Sequence, residues 1–72
     1  MEKFNGIFEQ IGDWWIAYIE EIPGVNTQGR TIEEARENLK EAVKLTIKAN
    51  RELARRETAG KPIIREELKV AV

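Results

Sequence analysis

Cysteine and histidine are both absent from this chain, and each absence removes a class of chemistry. Disulfides cannot form, and a thiolate–imidazole zinc site has neither of its ligands. Nucleophilic catalysis of the Ser-His-Asp or Cys-His kind lacks its base or its thiol. There is no glycine-rich phosphate-binding loop. The adjacent acids of Glu20-Glu21 and Glu66-Glu67 would point to opposite faces of a strand. We therefore predict a protein that is not an enzyme and that needs no metal or other cofactor.

Long apolar runs are also absent. No stretch approaches the roughly 20 residues that a membrane-spanning helix needs, and the N-terminal sequence lacks the basic and apolar regions of a signal peptide. These features predict a cytoplasmic protein with no membrane partner. The 72 residues suffice for a single domain, 1–72. So small a domain buries only about 60% of the surface its unfolded chain exposes. Oligomerisation is the remaining way to stabilise its core, and we expect a dimer or a tetramer.

Charge is nearly balanced overall but unevenly distributed. The formal net charge is -1, from 12 basic and 13 acidic residues, so the whole chain has no electrostatic attraction to nucleic acid. Residues 1–29 carry most of their charge as an acidic front. Its members are Glu2, Glu9, Asp13, Glu20 and Glu21. Residues 44–56 form a basic segment, which either complements the dipole at a helix C-terminus or meets a ligand.

Three strands are predicted in the first part of the chain, over residues 3–10, 14–20 and 25–28. Gly12-Asp13 is typical of a hairpin turn. Pro23-Gly24 fits the two central positions of a type II turn, where proline fixes φ and glycine accepts a positive φ. Gly29 is expected to allow the tight bend into the following helix.

The second strand is apolar on both faces. Its period-2 alternation places Trp15, Ala17 and Ile19 on one side. Trp14, Ile16 and Tyr18 lie on the other side. Because Ala17 is small, we expect its face to pack under a helix. The face with Trp14, Ile16 and Tyr18 is then the predicted protein interface, although adjacent tryptophans can also stack on bases.

A long helix is predicted from Thr31 to about Glu57, since Thr31 and Glu34 form a capping box and Gly60 and Pro62 are stop signals. Its apolar stripe comprises Ile32, Ala35, Leu39, Ala42, Val43, Ile47, Leu53 and Ala54. Alternation around Leu68 and Val70 predicts a last strand over residues 67–72. The predicted fold is therefore α+β, a three-stranded antiparallel sheet packed on one long helix with a C-terminal strand, in the order β-β-β-α-β.

Basic residues follow one face of this helix. They are Lys40, Lys44, Lys48, Arg51 and Arg55. This basic face could contact phosphate groups. Alternatively Glu37, Glu41 and Glu52, each three residues before a base, pair with Lys40, Lys44 and Arg55, and the face is simply solvated.

An ordered set of short motifs links these elements. It consists of Ile22-Pro23-Gly24, Thr27-Gln28-Gly29, Thr31 and Glu33-Glu34-Ala35. In this order and spacing it resembles the N-terminal domain of HicB-like antitoxins, over residues 1 to about 45. The resemblance implies a degraded ribonuclease-H-like domain without catalysis, which binds a small basic HicA-type ribonuclease toxin and masks its active surface.

The sequence departs from that family at three places. Val25 stands where many relatives have cysteine, and Arg30 stands where an acid is common. The chain ends at Val72 without the DNA-binding segment that full-length members usually add. We therefore expect no specific DNA binding by this chain alone. The expected function is that of a protein-binding antitoxin. The alternative is a stand-alone oligomeric domain that binds a small ligand or RNA through the basic face.

Overall fold

The fold is a three-stranded antiparallel sheet with one long helix across one face. A computed structural model describes residues 3–71. It contains strands β1 (Gly6–Ile11), β2 (Trp14–Ile19) and β3 (Asn26–Gly29), followed by helix α1 (Ile32–Thr58). The strands lie in the order β1-β2-β3. The predicted sheet and helix are thus confirmed, with their ends shifted by at most three residues.

Two glycine turns set the register of the sheet. Gly12 has a φ of 60°. Among the described residues only glycines have a positive φ, so the φ of Asp13 is not positive. A two-residue turn with a positive φ at its first position alone is a type II′ hairpin turn. This turn pairs Ile11 with Trp14 and fixes every pair before them. Gly24 has a φ of 85°, and the Val25 amide donates to the Ile22 carbonyl at 3.4 Å, as expected for a type II turn.

The core lies between β2, β3 and the first half of α1. Its buried members are Ala17, Ile19, Val25, Ala35 and Leu39. Half-buried apolar side chains pack around them, including Trp15, Phe8 and Val43. The prediction that Trp15, Ala17 and Ile19 face the helix is therefore confirmed. Val25 is 2% exposed and belongs to the core although it stands outside any strand.

Gly29 has a different role from the one predicted. Its φ is not positive, so it provides no special bend. Instead a Cβ at this position would lie 2.6 Å from the Ala35 amide nitrogen and 3.0 Å from the Ala35 Cα. The end of β3 therefore passes directly against the first turn of α1, and this close approach requires glycine.

Helix α1 begins and ends as predicted but extends well past the sheet. The Thr31 hydroxyl accepts a hydrogen bond from the Glu34 amide at 3.1 Å, which is one half of the predicted capping box. Gly60, with a φ of 74°, follows the last turn. Only the first half of the apolar stripe is covered, and Leu53 is 54% exposed.

The predicted C-terminal strand does not form in the residues that the structure describes. Residues 62–71 have no regular structure, and Val72 lies outside the described part. At 1.5 Å per residue the helix carries Thr58 about 22 Å beyond Val43, so the tail would have to turn back to reach the strands. It does not turn back, because its backbone hydrogen bonds are local, from the Lys61 amide to the Thr58 carbonyl and from the Ile63 amide to the Lys61 carbonyl. Leu68 and Val70 therefore remain 76% and 74% exposed.

Candidate protein-binding surface

The face of the sheet opposite α1 is the first candidate site. Trp14, Ile16 and Tyr18, the predicted interface residues, all project from it, because side chains alternate along β2. Tyr18 is 45% exposed and Trp14 is 36% exposed, whereas Ile16 is half-buried. We call this surface the outer face. Within the described chain, nothing covers the outer face as α1 covers the inner one.

Two isoleucines of β1 extend the outer face beyond the predicted residues. Ile7 pairs with Tyr18 and Ile11 pairs with Trp14, so all four side chains share the outer face. Ile11 is 56% exposed. A signal for them exists in the sequence: a two-residue turn at Gly12-Asp13 dictates these pairs. Contiguous exposed apolar side chains of this kind mark interaction surfaces more often than scattered ones do.

Arg30 completes one end of the outer face. Its guanidinium carbon lies 4.0 Å from the centre of the Trp14 ring, within the range of a cation–π interaction. The arginine therefore shields one side of the indole and places a positive charge beside it. No pattern in the sequence predicted this contact, because it depends on where the chain turns between Gly29 and the helix.

The acidic front is only partly available to a partner. Glu9 stands opposite Ile16 and adds a charge to the outer face itself. Glu21 is engaged within the chain, since its carboxylate accepts hydrogen bonds from the Asn5 amide at 2.8 Å and the Asn5 side chain at 2.7 Å. The backbone hydrogen bond from Asn5 is the main reason that the pKa of Glu21 is lowered. Glu2 lies outside the described residues.

The basic face of α1 is divided into two parts. Lys40 lies 3.2 Å from Glu37, and Lys44 lies 3.3 Å from Glu41, so two of the three predicted ion pairs are present. The third, between Glu52 and Arg55, does not form among the described residues. The remaining bases line a depression of about 490 Å³ beside Val43 and Ile47. These bases are Lys48, Arg51 and Arg55.

Residues 3–71 contain neither a metal-binding cluster nor a membrane-spanning helix. No cluster of three or more acidic, cysteine or histidine side chains that could hold a metal ion occurs there. No segment of helix α1 is both long enough and apolar enough to cross a membrane. The outer face and the basic face are thus the surfaces on which a function can be argued.

Comparison with known proteins adds no further assignment. No protein-family model matches the chain, and neither a curated protein nor a solved structure matches it.

Proposed function

We propose that this chain is a non-catalytic, cytoplasmic protein-binding domain of the HicB-like type, whose outer face neutralises a small basic ribonuclease toxin. The observation that carries the proposal is the uncovered apolar surface around Trp14 and Tyr18 on a sheet whose other face packs against α1. The motifs that resemble the antitoxin family connect the strands and the helix in the expected order, which supports the assignment.

The chemistry of the outer face suits such a partner. Tryptophan and tyrosine provide large apolar contact areas with a polar group at the edge, and they dominate the binding energy of many protein interfaces. Glu9 lies within the patch, and Asp13 and Glu20 stand at the ends of β2. These acids favour the approach of a basic protein and raise its association rate more than its final affinity.

The test uses the product of a neighbouring reading frame that encodes a short, basic, histidine-containing protein. Co-expression with this chain should restore growth that the toxin alone arrests. Tyr18→Ala should weaken binding by more than about 2 kcal/mol, roughly 30-fold, as expected for an interface anchor. Its matched control is Leu45→Ala, because Leu45 is also exposed, at 66%, but lies on the helix.

The controls separate binding from folding. Both variants should keep the helical circular dichroism of the parent, since neither side chain belongs to the core. If the toxin binds Tyr18→Ala as tightly as the parent, the outer face is not its binding site. If the neighbouring protein is neither bound nor neutralised by the parent chain, the antitoxin assignment is wrong.

A second candidate is binding of RNA or a small anionic ligand on the basic face. It is favoured by one observation: no described carboxylate lies within 4.0 Å of Lys48, Arg51 or Arg55, unlike Lys40 and Lys44. Titration with single-stranded RNA would detect it. Affinity should then fall steeply with salt, and Arg51→Ala should weaken binding while Tyr18→Ala should not.

A further inference from the structure

The two edges of the sheet differ in how they are protected. The edge of β3 is short, and the Asn38 side chain donates a hydrogen bond of 2.9 Å to its Gln28 carbonyl. The edge of β1 has no such cover in the described chain. The Glu20 amide donates to the Asn5 carbonyl, so alternate residues of β1 direct their backbone groups away from β2. An open edge of this kind accepts an additional strand.

A groove lies directly beneath the open edge. It has a volume of about 770 Å³ and runs between β1 and α1. Its apolar lining comes from Phe4, Phe8, Ile19, Leu39 and Val43. Four cations surround it, namely Lys3, Arg36, Lys40 and Lys44. Lys40 and Lys44 already pair with acids of the helix, whereas Lys3 and Arg36 form no ion pair within the described residues. A strand added beside β1 would direct every second side chain towards α1 and hence into this groove.

The C-terminal tail has the pattern that the groove would accept. In an extended chain Glu66, Leu68 and Val70 lie on one side, and Glu67 and Lys69 lie on the other. The two apolar side chains match the lining, and Glu66 matches the surrounding cations. Neither the tail nor the groove is covered in the single chain, since Leu68 and Val70 are largely exposed and the groove is open.

The chain exposes more surface than a compact monomer of its size. The chain exposes 6419 Å², whereas a folded monomer of 8.3 kDa exposes about 4,600 Å². The excess of about 1,800 Å² lies within the range of about 1,000–2,500 Å² that one subunit buries in an obligate dimer. The radius of gyration of 15.7 Å similarly exceeds the value of about 11 Å typical of this length.

We infer that the tail of a second copy, residues 65–71, adds to the open edge of β1 and inserts Leu68 and Val70 into the groove. The exchange is reciprocal, so two chains form a closed dimer with two-fold symmetry. The overhanging half of α1 places the start of each tail about 22 Å beyond Val43 in its own groove, and the excess exposed surface is of the size that a dimer buries. Both features favour the neighbouring chain as the acceptor. The outer face takes no part in this contact and remains free for another protein.

Engineered thiols test the inference directly, because the chain has no cysteine of its own. Glu9 lies on the outer face of β1, and Lys69 would lie on the same face of the added strand. An equal mixture of the Glu9→Cys and Lys69→Cys chains, oxidised mildly, should give the mixed disulfide dimer. Glu67→Cys is the second tail variant to be mixed with Glu9→Cys. Whether the tail pairs with β1 in the parallel or the antiparallel direction, either position 67 or position 69 should lie beside Glu9.

Other outcomes overturn the inference. An internal disulfide in the doubly substituted chain, found as a cross-linked monomer, would show that the chain's own tail fills the groove. A dimer formed by Glu9→Cys alone, with no mixed product, would show that two β1 edges pair with each other. A chain that sediments only as an 8.3 kDa species at micromolar concentration would exclude a second copy altogether.

A matched pair of tail variants gives an independent measurement. Leu68→Asp should weaken self-association by roughly ten-fold or more, because it places a charge in the apolar groove. Ala71→Asp introduces the same charge on the opposite side of the tail and should change association by less than about three-fold. Equal effects of the two substitutions in sedimentation equilibrium would contradict the inserted position of Leu68. Neither variant alters Trp14, Ile16 or Tyr18, so the result is independent of the proposed toxin binding.

Discussion

Replacing Gly29 with alanine is the sharpest test of the packing between β3 and α1. The added Cβ would lie 2.6 Å from the Ala35 nitrogen and 3.1 Å from the Glu34 carbonyl carbon, and both are backbone atoms of the first helical turn. The helix must therefore move away from the strand. Such overpacking costs about 1–3 kcal/mol, against a total stability of about 4–11 kcal/mol for a domain of this size. With an unfolding entropy of about 0.15 kcal/mol/K, the melting temperature should fall by about 7–20 °C.

Thermal unfolding followed by helical circular dichroism measures this effect, and two other glycines supply controls. At Gly6 an added Cβ meets only side-chain atoms, the Phe8 ring at 3.1 Å and a Leu39 methyl at 3.2 Å, which can shift. At Gly12 it meets nothing within 4 Å, so only the φ of 60° opposes alanine, at about 1–2 kcal/mol. A Gly29→Ala chain that melts at or above the temperature of Gly6→Ala would show that β3 and α1 are not packed this closely.

Three further predictions concern the helix cap, pH and nucleic acid. Thr31→Ala removes the hydroxyl that caps the Glu34 amide and should cost about 1 kcal/mol, whereas Thr31→Asp should retain most of the stability in the same melting experiment. The pKa of Glu21 is lowered from its ordinary value of 4.5, so its stabilising contact with Asn5 is complete above pH 4.5 and is lost as the pH falls through the lowered folded value. The Asn5 amide resonance should report this loss, and Glu21→Gln should abolish the transition. The chain should bind duplex DNA weakly and without sequence preference; sub-micromolar, sequence-selective binding in a gel-shift assay at physiological salt would contradict this.

The elements and their order could be predicted from local signals. Each turn has a residue with a specific backbone requirement, as Gly12 and Gly24 show by their positive φ. The hydroxyl of Thr31 defines the start of the helix in the same local way. The two faces of β2 followed from alternation and from the small size of Ala17, which is fully buried. These properties depend on a few neighbouring residues, and the sequence contains them.

Contacts between residues that are far apart in the sequence could not be predicted from such local signals. The alternation around Leu68 and Val70 indicates a strand, but it does not say whether a partner strand is within reach. That question depends on whether the chain turns back after Gly60, and no local pattern specifies such a return. The contact of Arg30 with Trp14 likewise requires the path of the chain after β3. The close approach that requires glycine at position 29 is not visible in the local pattern either, because Ala35, its neighbour in space, lies six residues further along the chain.

The motifs that resemble the antitoxin family also have structural explanations, and this affects what they can prove. Pro23-Gly24 forms a turn, Gly29 and Ala35 allow β3 to approach α1, and Thr31 caps the helix. Any chain with this arrangement of strand and helix needs such residues, whatever it binds. Substitutions there should lower stability and binding together, because they reduce the folded fraction. Substitutions at Tyr18 should lower binding alone. The proposed binding is therefore tested through the outer face, whereas the motifs define the scaffold that presents this face.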